Sequence, residues 1–293
     1  MEQTQHEHAH LVDPGTLDAA QLEALLARYD GGIDWQAPAL RTYAGLQPLL
    51  QYLFALSYAG RNEQAVSVAA HIRHCIEEAF EAHPGSEEML DCLITLNQLS
   101  GRFFAIFERD HFQDFDYYHP VIRFTEGLGH RFLVENTRAK LSLLQGYDAW
   151  QKQGGEVAAL PAEQADLLQH LQAEYLPALP ARIEAEGAAG NLRAAADMKR
   201  ALGAYYFQMN QPNDAVRLRK ELLAMLPTLP DAHLAEQAEV NVEIGSILAH
   251  YKKYKGALPY FEAAHQLYLQ AGDEFEPLAL QAESLADDCR AHL

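Results

Sequence analysis

Two stretches of the chain match each other 42 residues apart, from Gly203 to Gly245, and this self-match constrains the fold more than any other feature. The first stretch carries Leu202, Gly203, Tyr206, Ala215 and Pro227. The second carries Ile244, Gly245, Leu248, Ala257, Phe261 and Ala264. In both, an apolar residue precedes a glycine, an aromatic or leucine follows three residues later, and an alanine comes twelve residues after the glycine. Turn residues, Asn210 to Asn213 and Lys252 to Lys255, separate the two halves. The mechanical reading is a helical hairpin. Antiparallel helices close tightly only where small residues meet, which are Gly203 and Gly245 on the first helices and Ala215 and Ala257 on the second. A hairpin of this kind cannot bury its apolar face alone, so copies of it stack.

Helical periodicity extends along most of the chain. It predicts helices over 16–29, 39–59, 62–82, 86–108, 112–127, 130–152, 161–176, 178–187, 189–210, 212–226, 231–252, 255–271 and 274–291. Helix-ending and helix-starting residues lie between them: Gly60-Arg61-Asn62, His83-Pro84-Gly85-Ser86, Gly154-Gly155, Asn210-Gln211-Pro212 and Pro227 to Pro230. No segment alternates at period two with β-branched enrichment, so no sheet is expected. Residues 1–15 read as a disordered tail ending in Asp13-Pro14-Gly15. Residues 16–293 read as one helical repeat domain, closed by a capping helix with Asp287 and Asp288 on one side and Leu278, Leu285 and Cys289 elsewhere.

The spacing of these residues resembles that of the tetratricopeptide-repeat family. Residues 196–227 and 238–269 match it best. Residues 46–77 match through Pro48, Tyr52, Leu56 and the run Ala59-Gly60-Arg61-Asn62-Glu63-Gln64-Ala65. The long period, with His83-Pro84 between repeats, is similar to the long-helix variant of kinesin-light-chain-like repeats, and residues 86–190 depart from the pattern. The resemblance implies an all-α solenoid of antiparallel hairpins wound as a right-handed superhelix. It also implies a concave groove lined by first helices: Gln47, Leu50, Phe54 and Ser57, then Asp197, Arg200, Ala204 and Phe207, then Glu239, Val242, Ser246 and Ala249. Some relatives clamp a terminal carboxylate with Lys and Asn at fixed groove positions. Here Arg200 holds one such position, but Ala204, Glu243 and Ser246 hold others, which argues against that clamp.

Charge narrows the partner. The 293 residues include 41 acidic and 22 basic ones, for a net charge of −19, and both halves are acidic. Such a surface repels nucleic-acid phosphates and anionic membranes and attracts basic proteins. An acidic groove is therefore expected to take a basic or amphipathic helical ligand. The three cysteines, Cys75, Cys92 and Cys289, are widely spaced and form no CxxC, which suits a reducing cytosol. Neither a signal peptide nor a stretch of about 18 apolar residues is present, so no membrane span is expected.

Chemistry-bearing clusters are few. His6, His8 and His10 alternate near the start. His71, His74 and Cys75 share one helical face at spacings that could supply metal ligands. Arg123 and His130 repeat a spacing used by some helical ribonucleases, but Gly127 and Gly129 lie between them. The segment from Glu108 to Pro120 is the least regular. It sets Asp110, His111, Asp114 and His119 among Phe112, Phe115, Tyr117 and Tyr118, and Pro120 is expected to keep a regular helix from running through it. Carboxylates and imidazoles so close could run acid–base or metal chemistry, but the preferred reading is an aromatic helix junction whose charges face water. These observations together lead to the expectation of a cytoplasmic, non-enzymatic adaptor without metal or cofactor, binding a protein or peptide, with a basic partner favoured by charge. An immunity-type inhibitor of a basic toxin or enzyme and a ligand-gated regulator are the alternatives.

Overall fold

Helices alone make up the regular structure of the described residues, which in this computed structural model are 11–29, 31–100, 113–126, 132–156, 160–230 and 232–293. The chain divides into two compact units, residues 1–132 and 133–293.

In the first unit α1 (Ala19–Ala27) opens with a capping box. The Gln21 N–H donates to Asp18 Oδ1 at 2.8 Å and the Asp18 N–H donates to Gln21 Oε1 at 3.0 Å. Next come α2 (Tyr43–Tyr58), α3 (Asn62–Ala82), α4 (Glu87–Ser100) and α5 (Gln113–Thr125). The helices α2, α3 and α4 pack on one another, and Leu46, Leu50, Leu53, Ile72 and Leu93 are fully buried among them. Two expectations change here. Residues 11–15 are not a free tail. The Val12 N–H donates to Gln51 Oε1 at 2.7 Å, Gln51 Nε2 donates back to the Val12 carbonyl at 2.9 Å, and Pro14 is buried. Residues 1–10, with His6, His8 and His10, lie outside the described residues. In addition, α5 runs straight through Pro120, which is buried. A proline removes one helical hydrogen bond, and here that loss does not end the helix.

The second unit comprises α6 (Leu133–Lys152), α7 (Ala162–His170), α8 (Leu176–Ala188), α9 (Leu192–Gln208), α10 (Pro212–Met225), α11 (Leu234–His250), α12 (Tyr254–Ala271) and α13 (Glu276–Ala291). The break expected near residue 177 is absent. A π-helical turn, Leu171–Tyr175, joins α7 to α8, and the Leu176 N–H bonds to the Leu171 carbonyl. Pro177 and Pro180 supply no N–H, so the ladder is already short of donors here and one wide turn absorbs the misfit. Tyr175 on that turn donates to Thr137 Oγ1 at 3.0 Å, and the buried Lys140 ammonium lies 4.5 Å from the Tyr175 ring centre.

Four hairpin turns share one geometry. Gly60, Gly190, Asn210 and Lys252 all take positive φ, at 70°, 92°, 57° and 57°. In each turn that residue donates to the carbonyl three back, and the next residue donates to the carbonyl five back. Arg61 to Leu56 is 3.0 Å, Asn191 to Glu186 is 3.0 Å, Gln211 to Tyr206 is 2.7 Å and Lys253 to Leu248 is 2.9 Å. These are Schellman closures, which satisfy the orphan carbonyls at the end of the first helix and aim the chain back along it. The turns at Asn210 and Lys252 stand 42 residues apart, at the period of the self-match. The small residues sit where the hairpins close: Ala215 and Ala257 are fully buried, and both glycines lie at close contacts.

The two glycines face different neighbours. A Cβ on Gly245 would stand 2.7 Å from the Phe261 ring, which is buried and cannot turn away. A Cβ on Gly203 would be crowded by the end of the Arg219 side chain, at 2.8 Å, with Leu218 Cβ and the Ala215 carbonyl at ordinary contact distance. Gly245→Ala should therefore destabilise by about 1–3 kcal/mol through overpacking. Gly203→Ala should cost less, because only the end of Arg219 has to shift and alanine gains up to about 1 kcal/mol of helix propensity. Urea denaturation of the two variants tests this; equal losses would refute the asymmetry.

Candidate functional site

The residues expected to line a groove fare differently in the two units. In the first unit Leu50 is fully buried, and the Gln47 amide nitrogen lies 3.8 Å from Cys92 Sγ on α4. The helix α4 thus covers this part of α2, and Leu50 is core. Phe54 and Ser57 are half-buried.

In the second unit Asp197, Arg200, Ala204 and Phe207 on α9 and Glu239, Val242, Ser246 and Ala249 on α11 are all at least partly accessible. They border a seam with a regular build. Arg193 grips Glu236 with both terminal nitrogens, at 2.8 and 3.0 Å. Seven residues on, Arg200 donates to Glu243 Oε1 at 2.7 and 3.0 Å and to Glu239 at 2.9 Å. Seven further, the Phe207 ring meets the edge of His250, with centres 5.8 Å apart. Each rung joins residue i to residue i + 43, so α9 and α11 run parallel with side chains in step. The seven-residue repeat is what neighbouring helices need to keep one face together.

Glu243 holds two guanidiniums. Its second oxygen accepts from Arg219 Nε at 2.8 Å, and Arg219, on α10, is buried. Another cation of α9, Lys199, bridges Glu184 on α8 at 3.0 Å and Glu221 on α10 at 2.8 Å, and Arg217 adds a bond to Glu221 at 2.9 Å. The titration of these groups follows from the contacts. Burial pulls the Lys199 ammonium down, but Glu221 and Glu184 outweigh it and hold its pKa above the ordinary value. Burial disfavours the Glu221 carboxylate, yet Lys199 and Arg217 bring its pKa below the usual range. Arg200 is likewise desolvated and is held protonated by Glu243 and Glu239. Asp197 goes the other way. Burial raises its pKa more than Arg193 and Arg138 lower it, and Glu236 adds to the rise.

The seam is not acidic, contrary to expectation. Three guanidiniums, of Arg193, Arg200 and Arg219, bond four carboxylates, of Asp197, Glu236, Glu239 and Glu243, and the charge of Arg138 also acts on Asp197. Opposite charges this close neutralise one another, so the surplus of acid lies on other surfaces. Of the groups forming the seam, sequence reasoning missed Arg193, Glu236, Arg219 and His250. The signal for two of the rungs was present in opposite charges 43 residues apart, Arg193 with Glu236 and Arg200 with Glu243.

The remaining candidates do not converge on a site. His71 Nδ1 bonds the Ser67 carbonyl at 2.7 Å while its ring stacks on Trp35 at 4.6 Å, and His74 pairs with Glu78 at 3.5 Å. Cys75 is buried, and burial raises its pKa. Cys92 is pushed up to about 12, again chiefly by burial. Asp110 and His111, together with the Asp114 side chain and His130, lie outside the described residues. His119 stacks on Phe115 with ring centres 4.6 Å apart, and Arg123 lies over Phe124. Among the described residues, no group of three His, Cys, Asp or Glu is placed to hold a metal, and no helix is long and apolar enough to cross a membrane. No family model and no curated protein matches the chain.

Two outcomes follow from this arrangement. Glu243→Gln leaves the buried Arg219 without a counter-charge and should cost about 2–3 kcal/mol in urea denaturation. Glu239→Gln, at an exposed pair, should cost less than about 1 kcal/mol. Equal losses would deny Glu243 its special place. The second outcome concerns pH. The folded protein favours the charged form of Glu221, so its contribution is full above the unfolded value of about 4.5 and is lost as pH falls through the lowered folded value. The melting temperature of Glu221→Gln should therefore lie below that of the wild type at neutral pH and converge with it under acid. A gap that persists unchanged in acid would refute the assignment.

Proposed function

We propose that the protein is a cytoplasmic protein-interaction module of tetratricopeptide-like build, an adaptor without catalytic activity that takes a peptide or helical segment of a partner on the α9–α11 face. The observation that carries this reading is the parallel seam between first helices of consecutive hairpins, its rungs 43 residues apart, one residue beyond the sequence repeat. Stacking in that sense, continued, generates a right-handed solenoid whose first helices line one face, as in the family the sequence resembles. The face offers what a peptide needs: half-buried Phe207 and Val242 for apolar contact, and Ser246 and Glu239 exposed for polar contact. Because its charges are balanced, ligand choice there rests on shape and on the placement of individual polar groups more than on bulk charge.

The net charge of −19 supports a second reading, an inhibitor that neutralises a basic enzyme or toxin. The two readings part in their salt dependence. An inhibitor steered by net charge associates more slowly as salt rises, whereas a ligand of the balanced face does not.

Ser246→Trp tests the face directly. Ser246 is exposed and contributes to no rung of the seam, so an indole there obstructs the surface without breaking an ion pair. Affinity capture from the source cell's lysate should retain a defined protein with the wild type and lose it with Ser246→Trp, at an unchanged melting temperature. Equal capture by both proteins would rule out the α9–α11 face.

A further inference from the structure

Within this acidic chain, the tip of the α11–α12 hairpin gathers unpaired positive charge. Lys252, Lys253 and Lys255 are all exposed there, and among the described residues none of them has an ion-pair partner. Most cations of the neighbouring helices behave differently: Arg193, Lys199, Arg200, Arg217 and Arg219 each bond a carboxylate, while Lys220 lies over the Tyr260 ring. No acidic residue stands in the first turn of α12 to offset the three lysines.

Two further observations mark this tip. Lys252 occupies the left-handed position of its turn, which Gly60 and Gly190 fill in turns of the same geometry. Glycine adopts that conformation without steric cost and lysine does not, so the charge is placed against local preference. Beside the lysines, the start of α10 and the end of α11 leave a cleft of about 100 Å³, the bulk of one aliphatic side chain. Pro212, Asn213, Val216, Ile247, Leu248 and Tyr251 line it, and Lys253 stands at it as well. The Tyr251 wall is fixed in advance: its hydroxyl donates to Asn210 Oδ1 at 2.5 Å, and its ring packs edge-on against His250. A wall held in place loses little freedom when a ligand arrives.

We propose that this tip is a docking site for an acidic peptide segment of a partner protein. One aliphatic side chain of the segment fills the cleft, and flanking Asp or Glu carboxylates pair with Lys252, Lys253 and Lys255. The chemistry favours a short acidic peptide over a nucleic acid. The cleft takes an apolar anchor that a phosphate backbone lacks, and a chain of net charge −19 repels an extended polyanion beyond the immediate contact. The site is separate from the α9–α11 face and does not depend on that face binding anything.

The test uses the full chain and a fluorescein-labelled peptide with a single leucine flanked on both sides by glutamates, read by fluorescence anisotropy. Saturable binding with a Kd below about 100 µM is expected, weakening as salt rises. The triple variant K252E/K253E/K255E should weaken it at least about tenfold, as should replacing the peptide's leucine with serine. Lys252→Gly alone should weaken binding while raising the melting temperature, a combination that a purely structural role of Lys252 does not produce. Absence of saturation at millimolar peptide would overturn the proposal, as would unchanged affinity in the triple variant. A single-stranded oligonucleotide of equal charge that binds as tightly, with no loss on removing the leucine, would overturn it in favour of a general anion patch. Concentration-dependent self-association that disappears in the triple variant would overturn it in favour of a second copy's acidic surface.

Discussion

The Glu243 carboxylate joins three helices at one point. It takes Arg200 from α9 on one oxygen and the buried Arg219 from α10 on the other, and it belongs to α11. Arg219 in turn lies against Gly203, the small residue that lets α9 and α10 close on each other. The packing of the hairpin and the attachment of the next hairpin are thus coupled through one guanidinium. An ion pair between exposed groups contributes little, but a carboxylate that satisfies a buried arginine prevents the larger penalty of an isolated charge.

Around this point α9 acts as the hub of the second unit. It packs on α6, α8 and α10, and its three cations reach acids on α8, α10 and α11. A chain with nearly twice as many acids as bases has few cations to distribute. Several of them lie where helices meet, and three stand exposed at one hairpin tip. The consequence is a face whose charges are balanced and a tip that is positive, on a molecule whose net charge alone would suggest a uniformly acidic surface.

Helix positions were legible in the sequence because their causes are local. The span 62–82 matches α3 to the residue, and the turns at Gly60, Asn210 and Lys252 fall where Gly, Asn, Pro and Lys interrupt the apolar period. The small residues Ala215 and Ala257 were legible because their spacing repeats, and they are buried. Pro120 misled, and the break expected at residue 177 did not form, since a proline's effect depends on whether the surrounding helix tolerates one missing bond or takes a wide turn. Leu50 misled for a different reason: family spacing places it on an inner face, but α4 covers that face.

Sequence alone determined that the chain is helical, that its hairpins close on small residues, and that a 42-residue period relates two of them. Each of these depends on neighbours within about one helical turn or one hairpin. Only the tertiary structure decided which charges meet. Arg200 and Glu243 read only as groove positions, and they became partners because α9 and α11 lie parallel with a stagger of one residue beyond the repeat. That stagger is set by how whole helices pack on each other. Pairing across 43 residues therefore has no local cause that a reading of the chain, one helix at a time, could detect.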